Sequence, residues 1–227
     1  MVELLNIDCI EYMANCPDNH FNLAIVDPIY GGVTQGGYMS NNSTGAAKSK
    51  DYNTEIWKQA KTNDAYFTEV FRVSKNQIIW GGNYFPLPPC RCFIAWNKVR
   101  KIKNFSNVEY AWTSFDEPAQ VFTYCNNAGF ILSENDRPRT HPTQKPVSLY
   151  EWLLKNYAKP GDRILDTHFG SLSIGIACYN LGFDLTAYEI DKEYFNAGKL
   201  RLENHMKKGR LFETVNGRVV PTQKALI

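Results

Sequence analysis

The sequence predicts a single α/β domain whose sheet is mostly parallel, with an antiparallel hairpin at one edge. Three observations predict this class. Strand-like segments alternate with amphipathic helical segments along most of the chain, which is typical of βαβ units. Residues 21–27 form a continuous apolar run, as expected of a strand buried on both faces of a parallel sheet. Residues 108–114 and 119–125 resemble strands on either side of a short turn, which favours an antiparallel pair.

The first part of the chain is predicted to form strands and helices around one long loop. Pro17 ends the first helix, and a turn rich in Gly and Pro separates the last two strands. The predicted strands are 2–8, 21–27, 77–80 and 92–96, the helices are 9–16 and 63–73, and the loop is 31–62. Loops of this length inside compact domains are mostly functional lids or disordered segments.

The second part is predicted to alternate helices and strands. The helix at 145–161 has Pro146 in its first turn and ends at Pro160-Gly161. It is followed by a strand at 162–166, a helix at 173–182, a strand at 183–191 and an amphipathic helix at 192–206.

Net charge, cysteine spacing and the length of apolar runs limit the possible classes of protein. The net charge of +2 is too small to demand an acidic partner, so local basic clusters carry more information than the total. The six cysteines have no spacing that completes a four-ligand zinc site, which favours free thiols in a reducing cytosol. No leader segment and no run of membrane-spanning length are found, so we expect a soluble cytoplasmic protein.

The carboxyl ends of the strands are the places where such sheets bind ligands. The strand ending at Asp166 leads through a loop of small residues into a helix, and Glu189 lies 23 residues further on, at the end of the next strand. An acidic residue at that distance suits hydrogen bonds to ribose hydroxyls. The GxGxxG spacing is absent, which favours a nucleoside without phosphates over a dinucleotide. An ordinary strand–helix turn stays open as the alternative.

A further strand end carries Asp27-Pro28-Ile29-Tyr30. An Asp-Pro pair after a strand is common in turns, so this segment alone does not indicate a site. Motifs elsewhere in the chain change that interpretation.

Several segments together resemble the DNA amino-methyltransferases, which methylate exocyclic amines with S-adenosylmethionine. VDPIYG (26–31) is similar to their Asp-Pro-Pro-Tyr signature, and HPTQKP (141–146), followed by a helix and GDRILDTHFGS (161–171), is similar to their paired cofactor motifs. LLNIDCIEYM (4–13) matches the segment that usually precedes the signature. The order, with the catalytic signature first, resembles the permuted beta class, and EYAWTSF and EIDKEYF resemble compact phage and prophage members.

The resemblance implies a Rossmann-like S-adenosylmethionine-dependent methyltransferase fold. It covers residues 2–206, most weakly in 31–62, and implies a single domain over 1–227 with a small DNA-recognition region at 98–140. The implied reaction is methyl transfer to the N6 amine of a flipped adenine in DNA.

The implied catalytic residues are Asp27, Pro28 and Tyr30. The Asp27 carboxylate and the Pro28 carbonyl oxygen accept the two amine hydrogens, and Tyr30 stacks on the base. The implied cofactor-binding residues are Asp8, Cys9, Asp27, Thr143, Gln144, Lys145, Asp166, Thr167, His168, Phe169, Gly170, Ser171, Ser173, Glu189 and Ile190. Two simpler roles stay open: Asp8 as a helix cap and Lys145 as a surface charge.

DNA is the implied partner. Basic side chains suit contacts to phosphates, and the residues singled out are Lys98, Arg100, Lys101, Lys103, Arg137 and Arg139. No metal is expected, and a homodimer stays open.

Two departures from the family pattern stand out. Ile29 replaces the second proline of the signature, and Leu172 replaces a glycine of the cofactor loop. Leu172 is the more serious, because its side chain must fit where backbone normally approaches the ligand. Alternatives that stay open are N4 methylation of cytosine, methylation of RNA or of a protein glutamine, and a relative that binds DNA without turnover.

Overall fold

The computed structural model describes residues 1–29, 62, 64–99, 106–125, 140–141, 143–209, 212–215 and 218–221. The strands in this part of the chain are β1 (Val2–Leu5), β2 (Phe21–Val26), β3 (Ser74–Trp80), β4 (Phe93–Asn97), β5 (Val108–Thr113), β6 (Gln120–Thr123), β7 (Arg163–Asp166), β8 (Asp184–Tyr188), β9 (Phe212–Val215) and β10 (Arg218–Pro221). The α-helices are α1 (Cys9–Met13), α2 (Asp64–Val73), α3 (Val147–Tyr157), α4 (Ser173–Leu181) and α5 (Lys192–Lys208), with a 3₁₀ turn at Gly82–Tyr84.

The first eight strands form one sheet in the order β1-β8-β7-β2-β3-β5-β4-β6. The pairs from β1 to β3 are all parallel, whereas β5 runs antiparallel to both β3 and β4. This mixed, mostly parallel sheet confirms the predicted α/β class. The strands β9 and β10 form a separate antiparallel pair, for which no strands were predicted.

The antiparallel hairpin near one edge is confirmed, but its arms differ from those predicted. The arms are β4 and β5, and β6 pairs in parallel with the other side of β4. The predicted pairing of 108–114 with 119–125 is therefore wrong. Local alternation could not reveal this, because β4 comes from earlier in the chain and lies between the two segments.

Helices cover both faces of the sheet. On β2, Leu23 and Ile25 face a core cluster with α3, α4 and α5, while Ala24 and Val26 face a second cluster with α1 and α2. This explains the continuous apolar run, because successive side chains of a strand point to opposite faces and here both faces are buried. None of the helices in the described ranges has both the length and the hydropathy to cross a membrane.

The strand order reverses direction between β7 and β2. The chain proceeds from β7 to β8 on one side and from β2 to β3 on the other. Ala24 pairs with Leu165, so Asp27, which follows β2, and Asp166, which ends the adjacent parallel strand β7, lie at the same edge. Such a switch point opens a crevice at the carboxyl ends of the strands, where ligands bind in sheets of this type.

Candidate active site

Asp27 lies at the switch point, immediately after β2. The Nζ atom of Lys145 contacts its Oδ2 atom as an ion pair. The Asp27 side chain is 22% exposed and that of Lys145 only 4%, so a ligand can reach the carboxylate while the ammonium group is enclosed. The Nζ atom also lies 5.2 Å from the centre of the Trp80 ring. Lys145 is therefore not a surface charge, which was the simpler role left open by the sequence.

The ion pair extends to a second carboxylate and a second lysine. Lys145 Nζ lies 3.4 Å from Glu109 Oε2, and Lys98 Nζ pairs with Glu109 Oε1. Glu109 belongs to β5, and because β5 is antiparallel its beginning lies at the same edge as the ends of its neighbours. We call Asp27, Lys145, Glu109 and Lys98 the charge series, since their charges alternate.

The charge series sets the ionisation of its carboxylates. Burial raises the pKa of Asp27, the Lys145 ammonium opposes that rise, and the Glu109 carboxylate adds to it. Burial alone would also raise the pKa of Glu109, but Lys145 and Lys98 outweigh it, so the pKa of Glu109 is lowered. Glu109 is thus held as an anion between two cations.

The loop after β7 is fixed by hydrogen bonds from both sides. Asp166 Oδ1 accepts a 3.0 Å bond from the His168 main-chain N–H, and Thr167 Oγ1 lies 2.6 Å from the hydroxyl of Tyr66 in α2. Burial raises the pKa of Asp166 to about 8, and the Asp27 and Glu189 carboxylates add to that rise, so this buried acid tends to keep its proton.

Two partly buried histidines lie in or beside this loop. Burial lowers the pKa of His168 to about 4 and that of His141 to about 3, so both imidazoles are neutral near pH 7. A neutral imidazole in these positions adds no positive charge to the site.

Glu189 joins the loop to the end of β8. Its Oε2 atom accepts a 3.0 Å bond from the Gly170 N–H and its Oε1 atom accepts one from the Asp191 N–H. Each carboxylate oxygen has a second lone pair, so the partly buried side chain can accept further hydrogen bonds from a ligand. The next residue, Ile190, is 60% exposed and offers an apolar surface beside it.

Leu172 adopts the left-handed conformation, with φ 57° and ψ 34°, and its side chain is fully buried. Glycines in α4 and α5 make room for it: a Cβ at Gly175 would lie 2.7 Å from Leu172 Cγ, and one at Gly198 would lie 3.1 Å from Leu172 Cβ. Burying a leucine stabilises by about 1.5–3 kcal/mol, which offsets the strain of about 1–2 kcal/mol in a left-handed residue. The side chain thus packs into the core rather than over the loop.

The remaining predicted cofactor residues lie on two segments. Asp8 caps α1, because its Oδ1 atom accepts a 2.7 Å bond from the Ile10 N–H, as the simpler alternative proposed. Burial and the adjacent Asp8 raise the pKa of Cys9 to about 12, so its thiol stays neutral. Gln144 is buried and its Oε1 atom accepts a bond from the Thr140 N–H, whereas Thr143 is exposed.

Comparison with known proteins decides the family. A family described as DNA methylase, comprising the N6 and N4 enzymes, matches residues 33–200. The chain belongs to the DNA methylase family.

A curated relative and two solved structures extend this match. YubD of Escherichia coli, named as a methylase, is 25% identical over 89% of this chain and 90% of its own length. The structure of M1.HpyAVI in complex with SAM has a TM-score of 0.52 at 22% identity, covering 89% of this chain and 99% of the other. The PvuII cytosine-N4-specific DNA methyltransferase has a TM-score of 0.57 at 14% identity, covering 91% and 90%. At these identities the two structures establish a shared fold.

Glu109 is the member of the charge series that the sequence does not predict as a site residue. It is the first residue of EYAWTSF, a segment that was singled out only for its resemblance to phage and prophage members. No spacing relates it to Asp27 or Lys145, and only the antiparallel direction of β5 brings it to them.

The predicted DNA contacts have different outcomes. Lys98 is buried, its Nζ atom pairs with Glu109 and lies 4.9 Å from the centre of the Trp96 ring. A lysine enclosed in this way does not face a phosphate, so the DNA-contact interpretation of Lys98 is corrected. Residues outside the described part of the chain are Tyr30, Arg100, Lys101, Lys103, Arg137, Arg139 and almost all of 31–62. Within the described residues, no group of three acidic, Cys or His side chains could hold a metal ion.

Proposed function

We propose that this DNA methylase transfers a methyl group from S-adenosyl-L-methionine to the N6 amine of adenine in DNA. The observation that carries the proposal is the partly exposed Asp27 carboxylate at the switch point, one strand away from the loop that follows Asp166. The family match supports DNA as the substrate, and the SAM complex of M1.HpyAVI supports the cofactor.

The described residues fit an adenosyl group. Glu189 keeps lone pairs that can accept hydrogen bonds from ribose hydroxyls, and the exposed side chain of Ile190 can pack against a base. Gly170, whose N–H binds Glu189, has no side chain. We propose that these residues hold the cofactor together with Asp8, Cys9, Asp27, Thr143, Gln144, Lys145, Asp166, Thr167, His168, Phe169, Ser171 and Ser173. When bound, S-adenosyl-L-methionine supplies an electrophilic sulfonium methyl group.

The protein's task is to make the amine a better nucleophile. Its lone pair is delocalised into the base, and an acceptor for each N–H draws the nitrogen towards a pyramidal geometry. Asp27 provides one acceptor and the Pro28 carbonyl the other, and the carboxylate also stabilises the positive charge that develops on nitrogen. Tyr30 is proposed to stack on the flipped base. The neutral Cys9 thiol agrees with a reaction that needs no cysteine nucleophile.

Adenine is proposed over cytosine because the signature begins with Asp, whereas family members acting on cytosine tend to have Ser. The catalytic signature precedes the cofactor loop in the chain, which supports the beta-class order. We further propose one domain over 1–227, cytoplasmic location, and DNA phosphate contacts from Arg100, Lys101, Lys103, Arg137 and Arg139, with a homodimer as the form to test.

The test is transfer of labelled methyl from S-adenosyl-L-methionine to unmethylated genomic DNA, followed by mass spectrometry of the nucleosides. We expect N6-methyladenine. Asp27→Ala should remove turnover while calorimetry still detects cofactor binding, and Glu203→Ala, on an exposed site of α5, should match the wild type. N4-methylcytosine would correct the base, and undiminished turnover by Asp27→Ala would overturn the mechanism.

A further inference from the structure

Lys145 is enclosed between two carboxylates rather than paired with one. Its Nζ atom contacts Asp27 Oδ2 and lies 3.4 Å from Glu109 Oε2. An ammonium group has three N–H donors, so it can contact both carboxylates at once. Lys98 contacts the other oxygen of Glu109, which completes two cations and two anions at one edge of the sheet.

This arrangement poses a problem for amine binding. The ammonium of Lys145 contacts one of the two oxygens of the carboxylate that must accept the target N–H. An ammonium held by Asp27 alone would offset its negative charge, which weakens the carboxylate as an acceptor and as a stabiliser of the positive charge that develops on the amine. Neither can Lys145 leave the site, since its side chain is 4% exposed and an unpaired buried cation is strongly unfavourable.

We propose that Glu109 is a positioning residue that carries the Lys145 ammonium when the target amine occupies Asp27. The inference rests on the proposed function. With a second anion at hand, Lys145 shifts its contact from one carboxylate to the other without becoming unpaired. Lys98 keeps Glu109 ionised and fixes its other oxygen, so Glu109 is ready to receive the shifted ammonium.

A structural role alone does not explain the series. One carboxylate for each lysine, Glu109 for Lys98 and Asp27 for Lys145, would already pair both cations, so the further contact of Lys145 with Glu109 is not needed for charge balance. Here Glu109 is placed between two lysines, and both side chains are less than 10% exposed, at 9% for Lys98 and 4% for Lys145. Each lysine also lies beside an indole ring, Lys98 at Trp96 and Lys145 at Trp80, and the face of an indole stabilises a nearby ammonium group.

The inference predicts that two substitutions shift the pKa of Asp27 in opposite directions. The charged groups that act on Asp27 come from four elements. They are Lys145 before α3, Glu109 on β5, Lys98 after β4 and Asp166 at the end of β7. Removing the Glu109 charge leaves two cations facing Asp27, so its pKa falls. Removing the Lys98 charge strengthens the influence of Glu109, so the pKa of Asp27 rises. The tyrosines near this cluster, Tyr66 and Tyr150, have pKa values raised by burial and stay neutral.

The experiment compares Glu109→Gln and Lys98→Gln with the wild type. Rates of methyl transfer to DNA are measured against pH, and the Asp27 carboxyl is titrated by ¹³C NMR in ligand-free protein. For Glu109→Gln we expect the acidic limb of kcat and the Asp27 pKa to move down by about one unit, and plateau kcat to fall about tenfold. For Lys98→Gln we expect the acidic limb of kcat and the Asp27 pKa to move up by about one unit. The Kd for S-adenosyl-L-methionine should change less than about threefold in both.

Glu69→Gln is the matched control, since Glu69 is an ion-paired glutamate of similar exposure in α2, bound to Arg72. It should leave the profile unchanged. Glu109→Asp, which keeps the charge, should restore the wild-type limb. Shifts of the same sign in both variants, or a lower kcat with an unmoved limb, would overturn the inference. Absence of methyl transfer by the wild type would overturn the proposed function as well, so the two failures are distinct.

Discussion

The hydroxyl of Ser173 donates a 2.7 Å hydrogen bond to the main-chain carbonyl oxygen of Lys145. The same hydroxyl accepts a 3.0 Å bond from Arg201 Nη1, which also donates to the Ser171 carbonyl oxygen. Ser173 begins α4 at the end of the proposed cofactor loop, and Lys145 contacts Asp27. One buried serine therefore connects the cofactor loop to the residue that pairs with the proposed catalytic carboxylate.

Ser173→Ala should destabilise the protein by about 1–3 kcal/mol, because a buried carbonyl and a buried guanidinium each lose a partner. Ser148→Ala is the matched control: its hydroxyl oxygen is buried in α3 and has no hydrogen-bond partner among the described residues. Ser148→Ala should lower the free energy of unfolding by less than about 0.5 kcal/mol, or should raise it. Urea unfolding measures both. Equal losses in the two variants would contradict the role of Ser173.

Leu172 allows packing and backbone strain to be weighed separately. Leu172→Ala should lose about 2–5 kcal/mol of stability through the cavity it leaves. Leu172→Gly loses the same packing but relieves about 1 kcal/mol of left-handed strain, so it should be the more stable of the two variants and still less stable than wild type. At Leu153, buried in the regular helix α3, the order should reverse, with Gly about 1 kcal/mol worse than Ala. The denaturant concentration at the midpoint of unfolding gives the order of the Ala and Gly variants at each site. The same order at both sites would exclude strain at Leu172.

Asp166 should make stability depend on pH. Burial raises its pKa to about 8 in the folded protein, from 3.8 in an unperturbed aspartate. Between these values the folded protein keeps a proton that the unfolded chain releases, so this group's contribution is complete below the lower value and is lost as pH rises to the upper one.

Asp166→Asn removes that titration while retaining an oxygen that accepts from the His168 N–H. The stability of the variant relative to wild type should therefore increase from about pH 4.5 to about pH 7.5, by at most about 1.4 kcal/mol per pH unit. The histidines are common to both proteins and cancel in the difference. Urea unfolding across this range is the measurement, and a difference that stays constant would exclude a raised pKa at Asp166.

The sequence was a good guide where local pattern determines structure. The continuous apolar run of β2 predicted a strand buried on both faces, and Pro146 and Gly182 marked helix ends correctly. It was a poor guide where distant segments meet. The insertion of β4 between β5 and β6 has no local signal, and for the same reason neither Glu109 nor the buried position of Lys98 could be predicted. Both follow from which strands are neighbours and in which direction they run.

Lys98 provides the sharpest test of that difference, because the sequence predicts a phosphate contact and the structure an internal ion pair. Each phosphate contact contributes about 0.9 to the slope of log K against log salt concentration for duplex DNA. Lys98→Gln should leave this slope unchanged, since its ammonium pairs with Glu109, whereas Lys101→Gln, at a proposed phosphate contact, should reduce it by about 0.9. Fluorescence anisotropy with a short duplex at several salt concentrations measures the slopes. If Lys98→Gln alone reduced the slope, Lys98 would face DNA after all, and the charge series would have to open when DNA binds.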